Sequence, residues 1–292
     1  MKQYKQALEQ ILTHGKDKSD RTGVGTRSVF GMQMRFNLQE GFPATTTKKL
    51  AWKSVVSELL WFLEGSGDER RLAEILHGTR DESKKTIWTA NANAEYWKPH
   101  AQYEGDLGRV YGVQWRRWRA PKFYWNPALT SAITVVNEVD QVQKLIDGIK
   151  KDPTGRRHIL SAWNPGELDD MALPPCHVLS QFDVTENRLS CQLYQRSCDM
   201  FLGVPFNIAS YSLLTHIIAR EVGLEVGDFV WVGGDCHIYN NHFDAVEEQL
   251  SREERVLPKL VFETKDIKDY VVSDFVLEGY DPHPSIQADM AV

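Results

Sequence analysis

Two prolines stand directly before a thiol in "MALPPCHVLSQFDV", Met171 to Val184, and an apolar run follows it. A proline fixes φ, removes a donor and pushes the preceding residue to extended geometry, so Cys176 is presented from a stiff scaffold. That suits a nucleophile, which gains rate from being held near its target. It suits a small apolar residue at a strand start equally well. As a nucleophile the thiol needs neighbouring cations to ionise at neutral pH. His177 is adjacent, but neighbours on a strand point to opposite faces, so arginines are the better source.

The arginines sit where they could serve. Arg21 lies in the turn "DRTG", Arg156 and Arg157 lie in "TGRRH" at the mouth of an apolar strand, and Arg196 with Ser197 lies in "YQRSCD" at the end of another. Guanidinium forks match phosphate oxygens and a serine hydroxyl adds a donor. The competing role for each arginine is a surface ion pair. Arg196 is the hardest to assign that way, because its neighbours are mostly apolar.

Glu58 lies inside the apolar run "SELLWFL". A carboxylate buried there rises in pKa and becomes suited to proton transfer, whereas at the helix edge it simply faces solvent. Asn207 follows "GVPF" at the start of an apolar helix, where it either caps the helix or pairs a donor and an acceptor with a pyrimidine edge. His237 and Tyr239 in "GGDCHIY" are two apart on a strand and face one way, towards a sugar hydroxyl or a core network. His216, on the apolar helix, reads as a core histidine. "TGVGTRS" lacks the third glycine of a dinucleotide fingerprint, and there is no P-loop.

The elements that must position these groups can be outlined from periodicity. Residues 2–14 have helical spacing with Gly15 as a stop, and "AWKSVVSELLWFLEG", "RRLAEILHG" and "VDQVQKLIDGIKKDP" read as helices. "SVFGMQMRFNL" alternates like a pair of strands. "RHILSAW", "CHVLSQFDV" and "RLSCQLYQRS" read as three strands, the last two joined by the turn "TEN". "FNIASYSLLTHIIAREVG" is apolar on nearly every side and should be a central buried helix. "DFVWVGGDCHIY" reads as a strand with a Gly-Gly break, and "NNHFDAVEEQLSRE" as a surface helix. The aromatic and basic stretch "WRRWRAPKFYWNPALTSAITVVNEV" reads as a long surface loop. The order predicts a single α+β domain over 1–292, with a mixed, mainly non-parallel sheet packed on that central helix.

The chain has 292 residues, 42% hydrophobic, with a net charge of -6, which argues against a broad grip on nucleic acid. No apolar leader or spanning run is present, so a cytoplasmic protein without membrane contact is expected. The four cysteines show no zinc spacing, and free thiols with no metal site are expected.

Taken together, "DRTGVGTRSVFGMQMRFNL", "GFPATTTKKL", "SELLWFLEGS", "YGVQWR", "GRRHILSAWNPGELDDMALPPCH", "LSCQLYQRSCDMFLGVPFNIASY", "VGDFVWVGGDCHIYNNH" and "GYDPHPSI" closely resemble the thymidylate synthase family. They cover most of the chain apart from about residues 78–105 and 119–138, and the latter looks like an inserted surface loop. The resemblance implies transfer of a one-carbon unit from methylenetetrahydrofolate to dUMP with reduction, giving dTMP and dihydrofolate through a covalent Cys176 adduct. It implies dUMP contacts from Arg21, Gln195, Arg196, Ser197, Asp199, Asn207, His237 and Tyr239. Arg156 and Arg157 would reach from the partner of a homodimer whose interface is the sheet. Glu58, Tyr111 and His177 would manage protons, with Asn207 and Asp199 completing the catalytic set. Folate would meet Lys48, Ile87, Trp88, Leu173, Asp199, Gly203, Phe206 and the terminal Val292.

Three positions depart from the family's usual residues: Thr89 stands for an aspartate, Arg109 for a proline, and Cys236 for a threonine or alanine. Thr89 and Arg109 flank the folate side, which leaves a dUMP hydroxymethylase as the alternative, with water replacing hydride. Some members of the family bind RNA, and the net charge argues against that here.

Overall fold

The computed structural model describes residues 1–20, 23–126, 128 and 131–289. Eight α-helices are present among these: α1 (Lys2–His14), α2 (Trp52–Glu64), α3 (Glu69–His77), α4 (Thr89–Ala92), α5 (Tyr111–Arg116), α6 (Gln141–Lys151), α7 (Gly203–Val222) and α8 (Phe243–Ser251). Ten strands accompany them: β1 (Lys16–Lys18), β2 (Thr26–Asn37), β3 (Trp118–Asn126), β4 (Ser131–Val139), β5 (Ile159–Ser161), β6 (His177–Thr185), β7 (Arg188–Asp199), β8 (Glu225–Tyr239), β9 (Lys259–Val261) and β10 (Val276–Glu278).

The main sheet has the order β1-β2-β8-β7-β6-β5. Only β7 and β8 run parallel; the other neighbours are antiparallel. This is the expected mixed, mainly non-parallel α+β sheet. The parallel pair needs a long crossover, and α7 supplies it. An all-round apolar helix is stable only inside, and α7 packs on β7 and β8 with α2 and α6 against its other sides. Gly223 ends it in the left-handed region at φ 71°, and Gly65 ends α2 at φ 73°. Between β6 and β7, Glu186 and Asn187 both take positive φ, as a two-residue hairpin turn requires.

Four sequence expectations are corrected. "SVFGMQMRFNL" is one strand, not two: Gly31 (φ 84°) absorbs a kink, and pairing to β8 keeps its register from Phe30–Asp235 to Met32–Gly233. The Gly233-Gly234 pair does not break β8, which runs unbroken through both. Asn207 does not cap α7; the helix begins at Gly203, because Pro205 is tolerated in a first turn. In the 119–138 segment, read from sequence as a loop, residues 119–126 and 131–138 instead pair as the antiparallel strands β3 and β4. Its aromatic and β-branched residues prefer a pleated backbone, although Phe123, Tyr124, Trp125, Val135 and Val136 are all exposed.

Candidate active site

The end of β7, the end of β8, the start of α7 and the strand start at Cys176 meet at one place. β7 and β8 lie in parallel register there, with Ser197 opposite Asp235 and Asp199 opposite His237. The Cys176 amide donates to the Tyr111 hydroxyl at 2.7 Å, and the Cys176 carbonyl accepts from the Arg196 amide at 2.9 Å. The Arg196 guanidinium donates to the carbonyls of Pro175 (2.9 Å) and Pro174 (2.8 Å) and lies 5.4 Å from the Trp163 ring. The two prolines thus hold a cation as well as stiffening the backbone. Burial pushes the Cys176 thiol up, while the Arg196 charge and a Tyr111 bond pull against it. The depressed thiol anticipated from sequence is therefore not reached with Arg196 alone.

A register shift between His177 and Leu179 marks a bulge in β6, and such bulges re-aim side chains. The His177 ring sits edge-on to Tyr111 (5.1 Å) and Tyr211 (5.3 Å). Burial lowers its pKa to about 4, against a bond with the Asn207 side chain, so the ring is neutral at physiological pH. Among the described residues its Nδ1 has no hydrogen-bond partner.

Glu58, on α2, is buried, and the Trp88 indole donates to its carboxylate at 2.7 Å. Burial raises its pKa to about 7, and the Trp88 bond only partly offsets this. Tyr111 stacks on Phe62 (4.8 Å) and meets Trp88 edge-on (5.7 Å). The catalytic candidates therefore share one aromatic wall.

Asn207 lies in the second turn of α7, and its Oδ1 accepts from Gln195 Nε2 at 3.0 Å. Gln195 Oε1 accepts from the Trp231 indole at 2.9 Å. Asp199 accepts from the amides of Phe201 (3.0 Å) and Leu202 (3.1 Å) at the entrance to α7. His237 and Tyr239 do face one way, with rings 5.1 Å apart.

Of the apolar residues predicted for folate, Trp88 is buried, Leu173 and Phe206 are half-buried, and Ile87 is 55% exposed. A Cβ placed on Gly203 would meet only ordinary contacts at 3.7 Å. Lys48 is turned inward: its Nζ donates to the Phe201 carbonyl and lies 3.4 Å from that ring's centroid. Burial lowers its pKa to about 7, with Asp199 opposing.

Some predicted residues do not join this cluster. Arg156 and Arg157 are exposed and make no side-chain hydrogen bond or ion pair among the described residues. Arg21 and Val292 lie outside the described residues. Trp163, Tyr211, Trp231 and Glu167 were not anticipated; nothing in their local sequence sets them apart from core residues or, for Glu167, from a surface carboxylate. Thr89 donates to the buried Glu69 carboxylate at 2.6 Å, and Arg109 turns onto Glu167 at 2.7 Å. All four cysteines are free, and among the described residues no group of three metal-binding side chains occurs.

The thymidylate synthase family profile matches residues 2–292. The chain belongs to the thymidylate synthase family. Thymidylate synthase relatives are one-carbon transferases of the synthase and hydroxymethylase class, acting on dUMP with methylenetetrahydrofolate as co-substrate. The described residues contain no helix long and apolar enough to cross a membrane.

Proposed function

We propose that the chain methylates dUMP to dTMP and releases dihydrofolate, in a single domain over 1–292 on which the 119–138 hairpin is a surface insertion. The observation that carries the choice of base is the chain Trp231–Gln195–Asn207. An indole N–H only donates, so Gln195 must offer its oxygen to Trp231 and its NH2 to Asn207. Asn207 therefore turns its oxygen to Gln195, and its NH2, beside the His177 ring, is the group we assign to a ligand. An NH2 suits a ring carbonyl, as in uracil, and opposes the exocyclic amine of cytosine.

The steps follow from the residues. The Cys176 sulfur adds to the ring carbon beta to the uracil carbonyl, and the electron pair moves to the neighbouring carbon, which becomes the nucleophile. Arg196 with Ser197 binds the phosphate, joined by Arg21 and by Arg156 and Arg157 from the partner subunit. Phosphate neutralises those cations only in part, and the remainder lowers the thiol. Methylenetetrahydrofolate supplies the one-carbon unit and the hydride. Its flat, amphipathic ring fits a wall in which apolar Trp88, Leu173, Phe206 and Gly203 surround the half-exposed Asp199 carboxylate, with exposed Ile87 at the rim. Glu58, at about 7, both holds and gives up a proton near neutrality, with Tyr111 and His177 as its neighbours in proton transfer. The ring carbon attacks the one-carbon unit, removal of the ring proton then expels tetrahydrofolate to leave an exocyclic methylene, and hydride from that folate adds to the methylene so that the electron pair moves back and expels the sulfur as the free thiolate, leaving dTMP and dihydrofolate.

A two-fold dimer through the sheet is supported by Phe30 (86% exposed) and Ile159 (45% exposed) on its strands and by the unpaired Arg156 and Arg157. Lys48 and Val292 are assigned to the tail and closing segment of the folate site. The reaction is tested by incubating the protein with dUMP and methylenetetrahydrofolate, weighing the product and following dihydrofolate absorbance. Methylated product with equimolar dihydrofolate is expected. Hydroxymethyl-dUMP without dihydrofolate would instead assign the hydroxymethylase activity.

A further inference from the structure

The Glu167 carboxylate is buried, yet it lies on the turn that leads into Leu173 and Cys176 rather than at the site. Three donors from a different part of the chain converge on it. Arg109 Nε and Gln114 Nε2 each reach its Oε2 at 2.7 Å, and Arg119 reaches Oε1 at 3.4 Å. Arg109 and Gln114 flank Tyr111. The backbone continues the junction: the Arg109 amide donates to the Asp170 carbonyl at 2.9 Å and the Ala172 amide to the Leu107 carbonyl at 3.0 Å. The far end of the same two segments is the Tyr111–Cys176 bond at 2.7 Å.

Tyr111 itself has φ 20°, a conformation that non-glycine residues hold only when the surroundings over-determine it. Gly108, just before, takes φ 70°, and a Cβ there would lie 2.1 Å from the Asp170 carbonyl, so the two segments are in direct backbone contact. A strained residue between two side chains tied to one carboxylate is a clamped geometry, and it ends at the backbone amide of the reactive cysteine.

The geometry points to Arg109 and Gln114, gathered on Glu167, as positioning residues that lock Tyr111 onto Cys176 and so set where the thiol stands. They touch no substrate and act through Tyr111. The inference rests on Cys176 as the nucleophile. Arg109 therefore has a structural occupation of its own.

The test reads the thiol without catalysis. Cys176 is alkylated with iodoacetamide across a pH series, and its peptide is followed by mass spectrometry in the wild type, Glu167→Gln, Arg109→Met and Arg109→Lys. Folding is checked by thermal melting, dUMP affinity by calorimetry, and kcat and KM separately. Glu167→Gln and Arg109→Met should move the alkylation midpoint to higher pH, because the Tyr111 hydroxyl, which is held by the Cys176 amide and also favours the thiolate, shifts away from Cys176. Both should lower kcat on the order of tenfold, with dUMP affinity little changed. Arg109→Lys, which keeps the charge, should recover most of both. Folded variants with the wild-type alkylation profile and kcat would overturn the inference. Should Glu167→Gln not fold, Arg109→Met decides, since Gln114 still holds the carboxylate there. Alkylation needs no turnover, so a wild type that yields neither nucleotide product would sink the reaction assignment while leaving the clamp separately testable.

Discussion

The Trp88 indole holds the buried Glu58 carboxylate at 2.7 Å, so the tryptophan proposed for the folate wall and the carboxylate proposed for the proton path form one unit. One hydrogen bond does not offset the burial, and the carboxyl rises to about 7. Glu58→Gln keeps the shape and removes the proton carrier. A fall in kcat of about 10² to 10⁴ is expected with dUMP binding retained, measured by steady-state kinetics and calorimetry.

The same group makes a stability prediction. A carboxyl raised from 4.5 to about 7 binds its proton more tightly in the folded protein than in the unfolded chain. Stability conferred by that proton is present below about pH 4.5 and is lost as pH rises to about 7. The loss is on the order of 3 kcal/mol. Urea melts over this window should show the decline in the wild type and a flatter profile in Glu58→Gln; parallel profiles would refute the buried ionisation.

Lys48 gives the opposite slope. Its folded pKa is lowered from 10.5 to about 7 by burial, so the unfolded chain binds the extra proton and stability rises with pH across that interval. Lys48→Met removes the dependence. Its melting temperature should exceed that of the wild type most at about pH 6 to 7 and by less towards pH 10.

Cys176→Ala should abolish turnover while dUMP still binds, which equilibrium dialysis and product assay check directly. Arg196→Met should shift Cys176 alkylation to higher pH, because the one charge shown to favour the thiolate is gone. An unchanged profile would remove Arg196 from thiol activation.

Mixed dimers test the assignment of Arg156. Inactive Arg156→Glu and Cys176→Ala homodimers, when exchanged, form hybrids in which one of two sites has both groups intact. Random exchange should restore about a quarter of wild-type activity. No recovery in hybrids verified by native mass spectrometry would place Arg156 outside the partner's site.

What the sequence determined by itself was local. Periodicity set α1, α2, α3, α6, α7 and α8 but not the short α4 and α5, Gly15, Gly65 and Gly223 set where three of them end, and the all-round apolar character of α7 set its burial. Residue type was enough to nominate Cys176, Glu58, Arg196 and Asn207, because a thiol after two prolines, a carboxylate in an apolar helix and polar groups at element ends are each costly to place without a role. Local pattern could not say whether the Gly-Gly pair breaks β8, since that depends on the neighbouring strands, or that an aromatic stretch pairs with itself as a hairpin. Tertiary structure alone decided the pKa of Glu58, the orientation of Asn207 through Gln195 and Trp231, and the inward turn of Lys48. Burial and hydrogen-bond partners come from residues far apart in the chain. Arg109 and Glu167 are 58 positions apart, and neither announces the other until the fold brings them together.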